Sequence, residues 1–126
     1  MNLYLNFLAL KQKIEDEFVL KHGLDTRHLW LLAEVGRAAY LNQPLMTSDL
    51  LKLSKYGSPA TIHRGLRVLR DLGLVLNSHQ RGNRRTKYLV LSQISRDYYS
   101  ELSALFFKHS MPLPQSDKFF CRTIQR

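Results

Sequence analysis

A mainly α-helical fold carrying one small β-hairpin is predicted by three observations. Apolar residues recur at helical spacing over most of the chain. That period breaks once, after Gly73, into two short strand-like stretches. The charge is concentrated around the same break. The 126 residues are room for one domain, and 44% apolar with 23% charged residues argues for a globular chain rather than a disordered one. The single cysteine, Cys121, excludes a disulfide framework within the chain and any cysteine-based zinc site. Such a composition suits a reducing cytoplasm.

Residues 3–21 are expected to form the first helix, with Leu3, Phe7, Leu10, Ile14 and Phe18 at spacings of three and four. Tyr4, Leu5 and Leu8 make its first turns apolar nearly all round. Such a helix wants burial on two sides, against a second subunit or deep in its own core. Gly23 ends it, and Asp25 or Thr26 can cap the next. Leu29, Leu32, Ala33, Gly36 and Tyr40 form the expected stripe of the second helix, with Trp30 as a packing residue and a stop before Pro44. Thr47 is the expected cap of a short third helix carrying Asp49, Leu50, Leu51 and Leu53, followed by a tight turn at 55–57.

The fourth helix is the most clearly punctuated. Ser58 is an N-cap, Pro59 takes the first helical position, and Gly73 falls where a left-handed C-cap is wanted. Ile62, Leu66, Leu69 and Leu72 make its expected buried face, leaving His63, Arg64, Arg67 and Asp71 on the outside, flanked by Thr61 and Arg70. Residues 74–79 and 86–91 then read as paired strands around the polar loop 80–85, with Gly82-Asn83 at the tip. Ser92 caps a last helix over 93–109, with Ile94, Tyr98, Leu102, Leu105 and Phe106 on one stripe. The tail 110–126, with Pro112 and Pro114, is expected to be extended. The layout is one domain: N-terminal helices in 1–46, the third and fourth helices and the hairpin in 47–92, a C-terminal helix, and a tail.

The 19 Lys and Arg against 10 Asp and Glu leave a net charge of +9. Residues 1–46 hold five of each sign, whereas 47–96 hold ten basic and two acidic residues, a net +8. A solvated surface mixes its signs, so a localised excess of this size implies a polyanionic partner. Residues 1–10 are apolar, but no basic stretch precedes them and Lys11 and Lys13 follow, so no signal sequence is expected. No run reaches the ~18 apolar residues of a membrane span.

A short helix, a tight turn, a longer helix and a hairpin make a winged helix-turn-helix. A helix fits the ~12 Å major groove, and a hairpin beside it reaches the neighbouring backbone or minor groove. Arg64 or Arg67 is then positioned to read a guanine edge, with His63 either a base contact or simply exposed. Arg84 or Arg85 is positioned for a minor groove, and Lys52, Lys55, Arg81 and Lys87 for phosphates. The backbone N–H groups of Ser58 to Thr61 can meet another phosphate. The blander reading pairs Arg67 and Arg70 with Asp71 or a glutamate on a solvated face.

The stretch from Ser58 to Val75, SPATIHRGLRVLRDLGLV, followed by RGNRRTKYLVLS, resembles the MarR family of bacterial transcriptional regulators. That family has a Ser/Thr-Val-Thr-Arg recognition helix, a Leu-x-x-x-Gly-Leu-Val exit and an Asp-Arg-Arg wing. Its recognition arginine falls on Arg64, its exit on Leu69, Gly73, Leu74 and Val75, and its wing arginines on Arg84 and Arg85. The resemblance implies duplex DNA as ligand and a two-fold homodimer built through residues 1–21 and 93–109. Its helices would lie ~34–36 Å apart on an inverted-repeat operator. It also implies an effector region, lined here by Trp30, Tyr40, Tyr98 and Tyr99, although core packing explains those aromatics equally. Four positions depart from the family pattern: His63 for a hydroxyl residue, Gly65 within the helix, Asn83 for the wing aspartate, and Ser95 for a common glycine.

Two other functions fit parts of the pattern. A winged helix can serve replication, partition or RNA binding instead of transcription. An enzyme is disfavoured: no P-loop, nucleophile elbow, paired carboxylates or His-x-x-x-His occur, and the five histidines lack metal-ligand spacing. No cofactor and no metal are expected. Cys121 is a bystander or, less simply, a redox sensor.

Overall fold

The computed structural model describes residues 2–80 and 82–110. Its order is α1 (Leu3–His22), α2 (Thr26–Tyr40), α3 (Thr47–Leu51), a single 3-10 turn (Ser54–Tyr56), α4 (Pro59–Asp71), β1 (Val75–Gln80), β2 (Asn83–Leu91) and α5 (Gln93–Ser110). The mainly helical class with one antiparallel hairpin is therefore as the periodicity implies. The expected extended tail and Cys121 lie outside the described residues, as does Arg81.

The chain divides into two compact units. One takes residues up to Phe18 together with those from Asp97 onward; the other is Val19–Arg96. In the first, α1 and α5 meet through aromatic rings: Phe18 stacks on Tyr98 at 4.0 Å and Phe7 tilts against Phe106 at 5.0 Å. Phe18, Tyr98 and Leu105 are buried. Leu3, Tyr4, Leu5 and Phe106 each keep more than half of their surface exposed, so the apolar start of α1 is not covered by its own chain.

The second unit is built around the contact of α2 with α4. Leu31, Leu32 and Val35 of α2 are fully buried with Leu50, Ile62, Leu66, Leu69, Leu74, Val75 and Leu89. Gly65 explains how closely the two helices approach. A Cβ there would stand 2.7 Å from Leu31 Cδ1, so the residue that weakens α4 locally is also what lets it seat. The hairpin pairs Val75 with Leu91 through to His79 with Lys87. Its β2 strand gains a further neighbour where Met46 bridges Tyr88 and Leu89 N–H donates to the Leu45 carbonyl at 2.8 Å. Ser95, buried, donates its hydroxyl to the Leu74 carbonyl at 2.7 Å, which ties the start of α5 to the root of the hairpin. A glycine at that position could not make this bond.

Several expectations are corrected. The α2 stripe is Leu31, Leu32 and Val35, whereas Ala33 and Tyr40 are exposed and Trp30 is half-exposed. With five consecutive apolar residues at 29–33, periodicity alone does not choose a face; the approach to Gly65 does. Leu72 caps α4 and is part-exposed, because it follows the last helical residue and leaves the helical period. Ile94 likewise sits at the first turn of α5 with about half its surface exposed. Thr47 is the first helical residue of α3, not its cap. Met46, held extended by its bridge to Tyr88, takes the cap position, and its N–H is received by Asp49 Oδ2 at 3.0 Å. The loop expected over 80–85 is shorter, since β2 already begins at Asn83.

Candidate nucleic-acid interface

The α4 helix begins where the sequence marks it. The Ser58 hydroxyl accepts the Thr61 N–H at 3.2 Å, Pro59 follows at the first position, and Gly73 ends the turn with φ +70°. Ile62, Gly65, Leu66 and Leu69 face inward, which turns His63, Arg64 and Arg67 outward together, one turn apart on the opposite side. All three are exposed. The helix start holds fewer free donors than expected: Thr61 N–H is taken by Ser58, and Pro59 has none. At most Ser58 and Ala60 remain to meet an anion.

The hairpin supplies the second cationic element. Its regular ladder runs as far as His79 opposite Lys87, then jumps to Gln80 opposite Asn83. Arg84, Arg85 and Thr86 are thereby extra residues on β2 with no partners in the β1 ladder, a bulge that bends the strand at its tip. Arg85 and Lys87 are exposed, and Gly82 makes the reversal at φ +81°. Nothing is said of the Arg84 side chain. Lys52 is exposed just after α3.

Lys55 is placed differently from the expectation of a simple phosphate contact. Its ammonium is 3.5 Å from Glu34 Oε1 and sits over the Tyr56 ring at 5.1 Å. Glu34 is buried on α2, where it accepts hydrogen bonds from the Tyr56 hydroxyl and from Arg37. Lys55 keeps 64% of its side chain exposed, so a phosphate would share it with Glu34. This cluster was not found from sequence. Only the Glu34–Arg37 spacing hints at it, because the Tyr56 contact spans the chain from α2 to the 3-10 turn.

Burial alone would push the Glu34 carboxyl up. The hydrogen bonds from Tyr56 and Arg37, with the charges of Arg37 and Lys55, outweigh it and hold the group below its ordinary 4.5. A depressed carboxylate stabilises the fold above its ordinary value and loses that contribution as pH falls through the folded value. Glu34→Gln should therefore cost about 1–3 kcal/mol near neutrality, from donors left poorly matched. The difference from wild type should shrink as unfolding is followed from pH 7 down past 4.5. A difference independent of pH would show that the charge is not what holds the turn.

The four aromatics of the expected effector region separate. Trp30 and Tyr40 are exposed on the second unit, Trp30 tilted 6.1 Å from Tyr56, whereas Tyr98 and Tyr99 meet each other at 4.9 Å on the first. Arg70 is not on a solvated face with Asp71; it bonds Thr47 and Asn77. Among the described residues no group of three or more His, Cys, Asp or Glu could hold a metal ion. No helix there is long and apolar enough to cross a membrane.

An exposed, basic, well-capped helix beside a bulged basic hairpin defines the winged-helix class. Comparison with solved structures gives the fold more closely. A MarR-like transcriptional regulator from Thermotoga maritima superposes with a TM-score of 0.58 at 15% identity, over 99% of this chain and 96% of its own. S. aureus MepR in complex with DNA gives 0.60 at 13% identity, over 91% and 86%. MarR itself gives 0.50 at 17%, over 98% and 90%. The fold is that of the MarR-like transcriptional regulators. No protein-family model and no curated protein matches the sequence.

Proposed function

We propose that this protein is a cytoplasmic, sequence-specific double-stranded DNA-binding transcriptional regulator that acts as a homodimer on an inverted-repeat operator. The observation that carries this reading is the outward face of α4: His63, Arg64 and Arg67 exposed on a helix whose other side is locked into the core. The structural neighbours are regulators, one of them captured with DNA, which supports the same class.

In this reading α4 enters the major groove and Arg64 or Arg67 donates two bonds to a guanine. Arg84 or Arg85 reaches into the minor groove from the bulge. Lys52, Lys55, Arg81 and Lys87 hold phosphates, with Ser58 and Thr61 at the helix start. The uncovered apolar side chains of Leu3, Tyr4, Leu5 and Phe106 are the surface a second copy would bury. Selection of bound duplexes from a random pool, run beside light scattering, tests the whole reading. A dimer mass with an inverted repeat whose half-sites lie ~10–10.5 base pairs apart is expected. A monomer that selects no motif would instead favour a winged helix serving replication, partition or RNA binding.

Lys87→Ala should weaken binding to all duplexes alike and flatten the log–log salt dependence by ~0.9. An unchanged slope would remove Lys87 from the phosphate contacts.

A further inference from the structure

Arg70 is the one described side chain with a buried nitrogen, Nε, that has no hydrogen-bond partner among the described residues. Its Nη2 is used twice: it donates to Thr47 Oγ1 at 3.0 Å and to Asn77 Oδ1 at 3.0 Å. Those acceptors lie on different elements, Thr47 at the start of α3 and Asn77 within β1, while Arg70 itself is in the last turn of α4.

The connections close a ring. Asn77 pairs across the hairpin with Leu89, and Leu89 N–H donates to Leu45, two residues before Thr47. The guanidinium is thus the side-chain closure of a circuit whose other links are backbone bonds. Both of its partners are neutral, and the stranded Nε is a cost that an apolar residue of similar length would avoid. What only a planar fork supplies is two donors at a fixed angle, spanning two elements from a third.

We infer that Arg70 is a positioning residue: it holds α4, α3 and the hairpin in one mutual orientation, so that the helix and hairpin contacts to a duplex form together. This inference rests on the proposed DNA-binding reading, and it deepens that reading by naming what couples its two contact elements. Arg70 itself touches no nucleic acid in this scheme.

Two measurements test it. The first needs no DNA: amide exchange of the full chain carrying Arg70→Met, with Asn77→Ala as a second variant that cuts only the hairpin end of the clamp. Exchange should quicken by roughly tenfold or more over 75–80 and 47–51 and stay unchanged in the core of α2, the mark of local rather than global opening. Uniform quickening, or none, would overturn the inference.

The second is a double-mutant cycle on duplex affinity. In wild type, Lys87→Ala should cost about fivefold or more, whereas in an Arg70→Met or Asn77→Ala background it should cost less than about twofold, while Arg64→Ala keeps its full effect. Equal Lys87→Ala losses in every background would contradict the coupling. If wild type binds no duplex, the DNA reading falls and the exchange result alone decides whether Arg70 sets the hairpin.

Discussion

Leu31→Ala and Gly65→Ala should each destabilise the protein, and the two together should cost less than their sum. Leu31 is fully buried, and truncating it leaves a cavity worth about 2–5 kcal/mol. Gly65→Ala alone gains about 1 kcal/mol of helix propensity. It also forces a methyl to within 2.7 Å of Leu31 Cδ1, and overpacking of that kind costs about 1–3 kcal/mol. With Leu31 shortened, the clash is gone and the methyl lies in vacated space. Gly65→Ala should then be neutral or stabilising by up to about 1 kcal/mol in the Leu31→Ala background. Denaturant unfolding of the four proteins measures this directly. Simple additivity would mean that α2 and α4 do not meet at this point, and the outward set of His63, Arg64 and Arg67 would lose its geometric basis.

Arg64→Ala should abolish sequence preference while leaving the fold intact. The side chain is exposed and makes no hydrogen bond or ion pair that braces α4, so its removal leaves packing untouched. A bidentate arginine–guanine contact discriminates by about 1–3 kcal/mol, so affinity for the selected duplex should fall about 5- to 150-fold. Random duplex, held by phosphates, should lose only what one cation contributes. The expected sign is therefore a collapse of the specific-to-random ratio. Equal losses on both duplexes would reassign Arg64 to the backbone and leave Arg67 as the candidate reader.

Much of this was legible in the sequence because local chemistry decides it. Ser58, Pro59 and Gly73 fix both ends of α4, and the change of period after Gly73 marks the hairpin; each depends only on neighbours in the chain. The outward set of α4 was legible for the same reason, since Ile62, Leu66 and Leu69 define one face and leave the arginines the other. What was missed depends on partners far away in sequence. The true face of α2 is chosen by Gly65 more than thirty positions on. Glu34 is buried only because Tyr56 and Lys55 come to meet it. Thr47 loses its capping role because Met46 is held in a bridge to Tyr88. Arg70 looked like a surface charge until α3 and β1 converged on it.

The central claim is that cations from α4 and the hairpin form one duplex-reading surface. Titrating the isotope-labelled protein with its selected duplex, and following backbone amide and arginine side-chain resonances, tests it most directly. Shifts at His63, Arg64, Arg67, Arg85 and Lys87 on a single binding isotherm, with the exposed start of α1 unaffected beyond changes in tumbling, are expected. Shifts confined to α1 and α5, with α4 silent, would contradict it.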